Sequence, residues 1–492
     1  MSVSDPNRRP DVLIRNVTAI TVDPQRRVIE KAWIAVTGDR IAGIGSAGMD
    51  EPVEAGEVID AGGMVAIPGL IDSHSHAGHG LVRAAGAGDT NAWFEACRRI
   101  YARVATPSFW RAEQALVQLE RLRGGVTTAV SLLGGGADIY RTDDAAAGDA
   151  HCAATMESGL RTIMAVGAGR APFPQRYARI LADGGLEEFD LTFERQMEVS
   201  AELIGRWNDV LRRRTGVCLV MPVYYAGEVE DAASRRVVVR MGEAMMALRE
   251  ETGVIFTQDG HRDGSIALAR DLGVLGPFAL LGHSVDLTSA DLAALGETGA
   301  AIVHNPSAIM SIYGRCPVPE LLEAGVTVCL GSDAAAPDRG FDMFRHMAQC
   351  MHYHRRHFRD PSYLPPGKTL EMATIDAARA LGLQADLGSL EAGKKADIVL
   401  VDMQKPHLYP PTMPVTKIAH FASAADVDTV LVDGRVLMRG RRIAHLDEPG
   451  LLEAAAGEAK RAFERAGLSH LLVEPPDYWR VSQRRFADAP AD

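Results

Sequence analysis

The chain has 492 residues, 47% apolar and 24% charged, with a formal net charge of −12. That length and ordinary composition suit one large domain with a smaller companion. The acidic balance argues against a nucleic-acid surface, and no apolar run approaches the roughly 18 residues of a membrane span.

Residues 1–10 are polar and lack the apolar stretch of a secretory leader. Residues 1–64 then read as short strands. DVLIRNVTAITV and KAWIAVTGDRIAGIG alternate in polarity and are rich in β-branched side chains, and Gly38-Asp39 marks a turn. The texture changes over residues 65–390. Eight apolar runs, Val65–Ile71, Val126–Leu132, Thr162–Val166, Val217–Val223, Val254–Phe256, Phe278–Leu281, Ala300–Val303 and Val326–Leu330, alternate with helix-length segments such as FWRAEQALVQLERLRGG. This alternation predicts a parallel sheet covered by helices, and eight units suit a closed (β/α)8 TIM barrel. The rival open doubly wound sheet would carry a GxGxxG after its first strand, and none is present. PSYLPPGK (361–368) reads as a loop. Residues 391–445 return to strand texture, with ADIVLV and DTVLVDGRVLM and a hairpin turn at Asp433-Gly434. The two strand-rich ends are expected to build one composite β-sandwich domain together. Residues 446–492 open with a helix, LLEAAAGEAKRAFERAG, and end in a polar tail.

Several of the eight runs end in ligand-type residues, and the C-terminal ends of barrel strands converge on one mouth. The first run leads to His74 and His76 in PGLIDSHSH. Residues i and i+2 of a strand share a face, so both imidazoles can approach one cation. Asp333, closing VCLGSD, can bind the same ion and take a proton from an activated water; the alternative is a turn or helix-capping aspartate ahead of AAAP. His283, ending LLGH, can orient the water or the substrate, or be a buried structural histidine. His304 and Asn305 in AIVHNPS face the substrate or order a loop before Pro306. His79 is read as a neighbour of the site or a solvent-exposed residue. The run of His346, His352, His354 and His357 is read as a helix face, since its spacing matches no known site and no carboxylate is interleaved. Trp93, Phe94, Tyr224 and Tyr225 are read as pocket or core aromatics. The six cysteines, at 97, 152, 218, 316, 329 and 350, form no CxxC pair, which suits reduced thiols in a cytoplasm.

PGLIDSHSH, RLRGGVTTAVSLLG, LLGH, AIVHNPS, GSD, LEMATIDAARALGL and LGSLEAGKKADIVLVD together resemble the amidohydrolase superfamily, in its branch of triazine hydrolases, chlorohydrolases and cytosine- and guanine-deaminase-like enzymes. The resemblance, running over about residues 11–440, implies a barrel inserted in a composite β-sandwich. It implies His74, His76 and Asp333 as ligands of one divalent transition metal, zinc foremost with iron or manganese as alternatives. It implies His283 as the residue that orients the nucleophilic water or the substrate. The activity implied is hydrolysis of a C–N bond on a small nitrogen heterocycle, in a homodimer or homotetramer. C–Cl, C–S or exocyclic amide cleavage, or a non-catalytic scaffold, are the alternatives. One segment departs from the pattern. The family usually ends its fifth strand with a histidine ligand and a glutamate three residues later, whereas this chain reads FTQDGH. Gln258 falls at the ligand position, where it is a poor ligand and more suited to face a substrate. His261 falls at the glutamate position. His261 then supplies the missing imidazole or acts as proton shuttle, or His283 becomes a ligand, or metal binding is weak.

Overall fold

A computed structural model of the protein describes residues 9–86, 88–135, 139–333, 339–476 and 478–479. Residues 1–8 of the polar start, the AAAP segment at 334–337 and the end of the tail lie outside the described residues. In chain order, β1 (Val12–Ile20), β2 (Val28–Thr37), β3 (Arg40–Ser46), β4 (Glu57–Asp60) and β5 (Met64–Pro68) come first. Then follow β6 (Leu70–Asp72), β7 (Val126–Leu132), β8 (Arg161–Gly167), β9 (Gln175–Ile180), β10 (Leu186–Leu191), β11 (Thr215–Val220), β12 (Phe256–Gln258), β13 (Ala279–Gly282), β14 (Ala301–His304) and β15 (Val328–Leu330). β16 (Ile398–Asp402), β17 (Val427–Val432) and β18 (Arg435–Met438) close the series.

The two ends of the chain build one mixed sheet in the order β18-β17-β16-β5-β1-β2-β3, with β4 beside β1. The seam is the antiparallel pairing of β16 with β5, from Ile398↔Pro68 to Asp402↔Met64. Alternation along β16 sends Ile398 and Leu400 to a core shared with Ile14 and Ile34, and Val399 and Val401 to the core shared with the barrel's helices. The β17–β18 turn has positive φ at both Asp433 (+47°) and Gly434 (+72°), as a two-residue type I′ hairpin requires.

β6, β7, β8 and β11–β15 pair successively in parallel. Two lateral hydrogen bonds close the barrel past the ends of the first and last strands: Ser73 N donates to Leu330 O at 3.0 Å, and Asp333 N to His74 O at 2.8 Å. Inside, Ile71, Val130, Ile163, Cys218, Leu280, Val303 and Cys329 form one core; Met164, Leu281, Ile302 and Leu330 face the helices. The expected first run, Val65–Ile71, divides between the two sheets. Met64–Pro68 belongs to the terminal sheet, so that segment extends past residue 64, and Leu70 opens the barrel. Gly69 makes the crossing because a Cβ there would lie 2.1 Å from Thr127 Oγ1. The hairpin of β9 and β10 was not anticipated; it inserts after β8 and pairs Leu191↔Gln175 to Leu186↔Ile180. Among the described residues no helix is long and apolar enough to cross a membrane.

Candidate active site

The mouth of the barrel is built on a buried polar network. Asp72, the last residue of β6, accepts from Ser332 N and Ser332 Oγ, both at 2.8 Å, and from Arg121 at 3.2 Å. Arg121 also donates to Ser75 Oγ, and Ser75 donates to Val130 O. The segments that carry His74, His76 and Asp333 are thus tied to each other and to β7 before any of the three does chemistry. Positive φ at His283 (+62°), Ser284 (+53°) and Asp333 (+64°) places three non-glycine residues in the left-handed region at this mouth. Such conformations cost about 1–3 kcal/mol each and concentrate at functional sites.

Three imidazoles and two carboxylates converge there. Asp259 Oδ1 lies 3.3 Å from His74 Nε2 and 2.9 Å from His283 Nε2, and Asp259 Oδ2 lies 3.3 Å from His76 Nε2. Asp333 Oδ1 lies 3.6, 3.3 and 3.5 Å from Nε2 of His74, His76 and His283. Arg339 reaches the other oxygen of Asp333 at 3.2 Å. His76 Nδ1 lies 3.2 Å from Gly134 O, which fixes its Nε2 as the nitrogen free to ligate. Burial opposes protonation of His76 and His283, but the two carboxylates outweigh it and raise them to about 9 and about 10. Burial pushes Asp259 and Asp333 upward, and the facing imidazoles, with Arg339 beside Asp333, overcome it and hold both carboxyls well below the usual range.

The groups fit a cation. His74 is fully buried, yet neither ring nitrogen makes a hydrogen bond of good geometry among the described residues, and Asp259 Oδ1 makes none either although two imidazole nitrogens lie 2.9 and 3.3 Å from it. Ligand atoms of His74, His76 and Asp259, and again of His74, His283 and Asp333, lie within 4.8 Å of one another. Imidazole and carboxylate are the donor set of zinc and related divalent ions.

The fifth-strand segment differs from the sequence expectation. Phe256 faces the helices, and strand alternation takes Gln258 to the same side, where its Nε2 donates to Pro222 O at 3.1 Å. The next residue, Asp259, turns into the mouth. The chain then bends at Gly260 (φ +98°), and His261 Nδ1 sits 3.0 Å from Ser265 Oγ, outside both ligand groups. Burial lowers its imidazole to about 3. Gln258 and His261 both lie outside the two ligand groups, and the carboxylate of Asp259, between them, lies inside one. His304 also departs. Ala301 and Val303 point into the barrel, so His304 points outward, its ring 5.4 Å from that of His354. Asn305 Nδ2 lies 3.4 Å from His283 Nδ1, behind that ring rather than in an open pocket.

Around the cluster, His79 is buried, edge-on to His76 and stacked on Trp93 at 4.9 Å, not solvent-exposed. Tyr225 donates to Gly260 O at 2.6 Å, bracing the turn after Asp259. Tyr224 lies elsewhere, under the guanidinium of Arg170. Asp259 and Arg339 escaped the sequence reading. The signal for Asp259 was its place directly after the fifth strand; assignment by the position of the family's histidine passed over it.

The amidohydrolase family profile matches residues 65–437, and the chain belongs to this family. The 5-methylthioadenosine/S-adenosylhomocysteine deaminase of Moorella thermoacetica is 32% identical over 450 residues, spanning 89% of this chain and 96% of that protein. The 5'-deoxyadenosine deaminase of Methanosarcina mazei is 29% identical over 471 residues, spanning 92% and 99%. Among solved structures, an adenosine deaminase from Xanthomonas campestris with bound zinc superposes with a TM-score of 0.78 at 22% identity, covering 93% of this chain and 99% of that one. Atrazine chlorohydrolase from Arthrobacter aurescens TC1, complexed with zinc, gives 0.74 at 24% identity, covering 91% and 100%. Family and relatives define this chain as a hydrolase acting on a C–N bond of a heterocycle.

Proposed function

We propose that the chain is a zinc-dependent aminohydrolase that releases ammonia from the amino-substituted ring of an adenosine-type nucleoside. The observation that carries this reading is the convergence of His74, His76, His283, Asp259 and Asp333 on one buried point. Relatives at about 30% identity over most of the chain are deaminases of 5'-modified adenosines, and this similarity supports the substrate class.

His74, His76 and Asp333 would hold the ion, with Asp259 in the place the family usually gives to a histidine. When bound, a divalent ion lowers the pKa of a water molecule toward about 7. Asp333, its Oδ2 fixed by Arg339, accepts the proton that water loses on attacking the ring carbon. His283, held behind by Asn305 and facing both carboxylates, donates a proton to the departing amino group, so ammonia leaves and the ring carbon becomes a carbonyl. His261 stays neutral across the working pH range and serves as packing against Ser265. The closed polar network of Asp72, Arg121, Ser75 and Ser332 holds the two strand ends in register during turnover.

The test is ammonia release from adenosine, 5'-deoxyadenosine, 5-methylthioadenosine and S-adenosylhomocysteine by protein loaded with zinc, iron or manganese, beside Asp333→Asn. Turnover with at least one nucleoside, falling about 10²–10⁴-fold in Asp333→Asn, is expected. No release from the whole panel would sink the substrate class, and a full rate in Asp333→Asn would sink the assignment of the base.

A further inference from the structure

A second group of metal-ligating side chains lies outside the mouth, on the far side of β14. Cys350 and His354 are one turn apart on the helix Met343–Phe358, so they share a face, and His304 meets them from the end of β14. One ligand atom from each lies within 4.8 Å of the others. All three residues are 0% exposed. Neither nitrogen of His304 and neither nitrogen of His354 has a hydrogen-bond partner among the described residues. Four unsatisfied ring nitrogens in one buried spot are costly if nothing binds them, and native interiors rarely leave buried polar atoms unmet. One histidine of the same helix contrasts with this. His346, on the same helix, lies 2.8 Å from Gly340 O and 3.2 Å from Ser307 Oγ.

We propose that His304, Cys350 and His354 form a second metal site, separate from the catalytic cluster, that takes a thiophilic d10 ion, Cu⁺ or Zn²⁺, in a shell of two imidazoles and one thiolate. Softness selects these ions: thiolate disfavours magnesium, calcium and manganese, and imidazole completes a borderline set. Binding requires the thiol of Cys350 to lose its proton to solvent as the S–metal bond forms. A univalent ion with one thiolate leaves no net charge in the buried shell. A divalent ion leaves one positive charge, beside the Arg315–Glu320 ion pair near His354. A surface recess of about 520 Å³, lined in part by Pro306 and Tyr353, adjoins the site, the Tyr353 ring lying 5.2 Å from that of His354. The ion would pin the end of β14 to the helix layer directly before Asn305, the residue that backs His283.

The experiment compares the full-length wild type, Asp333→Asn, Cys350→Ser and His354→Gln. In one arm, Co²⁺ is added as the probe for the zinc site, and thiolate-to-metal charge-transfer absorption is recorded. In the other, Cu⁺ under reducing conditions competes against a chromophoric chelator. The expected result is a sulfur band, or about one equivalent of Cu⁺ withheld from the chelator, in wild type and in Asp333→Asn. Cys350→Ser loses it, and His354→Gln weakens it at least about tenfold. A signal in the cobalt arm alone assigns zinc; a signal in the copper arm alone assigns copper. If Cys350→Ser does not fold, His354→Gln decides. Absence of both signals in wild type, or signals unchanged in the folded variants, overturns the site.

Discussion

Replacing Asp259 by asparagine removes one charge from the active-site cluster and almost no volume. The carboxylate oxygens lie 2.9–3.3 Å from Nε2 of His74, His76 and His283, so they sit at the geometric centre of the imidazoles rather than at the rim. Loss of a partner that merely orients a ligand costs 10–100-fold in metal affinity or activity, and a charged group this central should reach the upper end. At 1.36 kcal/mol per tenfold step, 100-fold is about 2.7 kcal/mol of ion binding. The assay is zinc competition against a chromophoric chelator, with ammonia release followed on the same samples. Asp259→Asn should lose zinc about 100-fold more readily, and its rate should recover in part at high zinc. Gln258→Ala is the companion variant. Its side chain bonds Pro222 O and should leave zinc affinity within about threefold of wild type, well inside one tenfold step. Wild-type zinc retention in Asp259→Asn, or a large loss in Gln258→Ala, would refute the reading of this segment and restore the ligand role to position 258.

Arg161 is fully buried at the start of β8, with Asp397 and Asp433 each at 2.7 Å. Removing one side of a buried ion pair costs about 3–5 kcal/mol, so Arg161→Met should lower the unfolding free energy by about that much, read as a lower urea midpoint at unchanged slope; an unchanged midpoint would show that the link between barrel and terminal sheet carries no stability. Burial raises the Glu113 carboxyl from 4.5 to about 7, against the lowering effect of backbone N–H groups at Gly78 and Gly80. The folded state therefore binds the extra proton, and this contribution to stability is complete below pH about 4.5 and lost as pH rises through 7, up to about 3 kcal/mol. Glu113→Gln should flatten that part of the stability–pH curve, and an equal slope in both proteins would disprove the shift.

Much of the protein was legible before any coordinates. Apolar runs ending in histidine and aspartate marked the barrel strands and the ends that converge on the mouth, because strand burial leaves its imprint on every residue between Val126 and Leu132 or Ala301 and Val303. The Asp433-Gly434 turn was readable because its left-handed backbone demands those residue types. The HxH pair and Asp333 stood out for the same local reason: chemistry of this kind needs particular side chains at strand ends.

The direction a side chain takes past the end of a strand has no local signature, and there the structure alone was decisive. Gln258, Asp259 and His261 are equally polar and nearly adjacent; which one enters the mouth depends on the parity of β12 and the bend at Gly260. His304 and Asn305 are neighbours in sequence, yet one faces the helices and the other backs His283. The approach of Cys350 and His354 to His304 joins positions some 46 to 50 apart, and no spacing announces it. Sequence thus set the kinds of groups available and the strands that carry them, while the packing of barrel against helix layer chose which groups meet, since only closed tertiary contacts fix on which side of a strand end each group comes to rest.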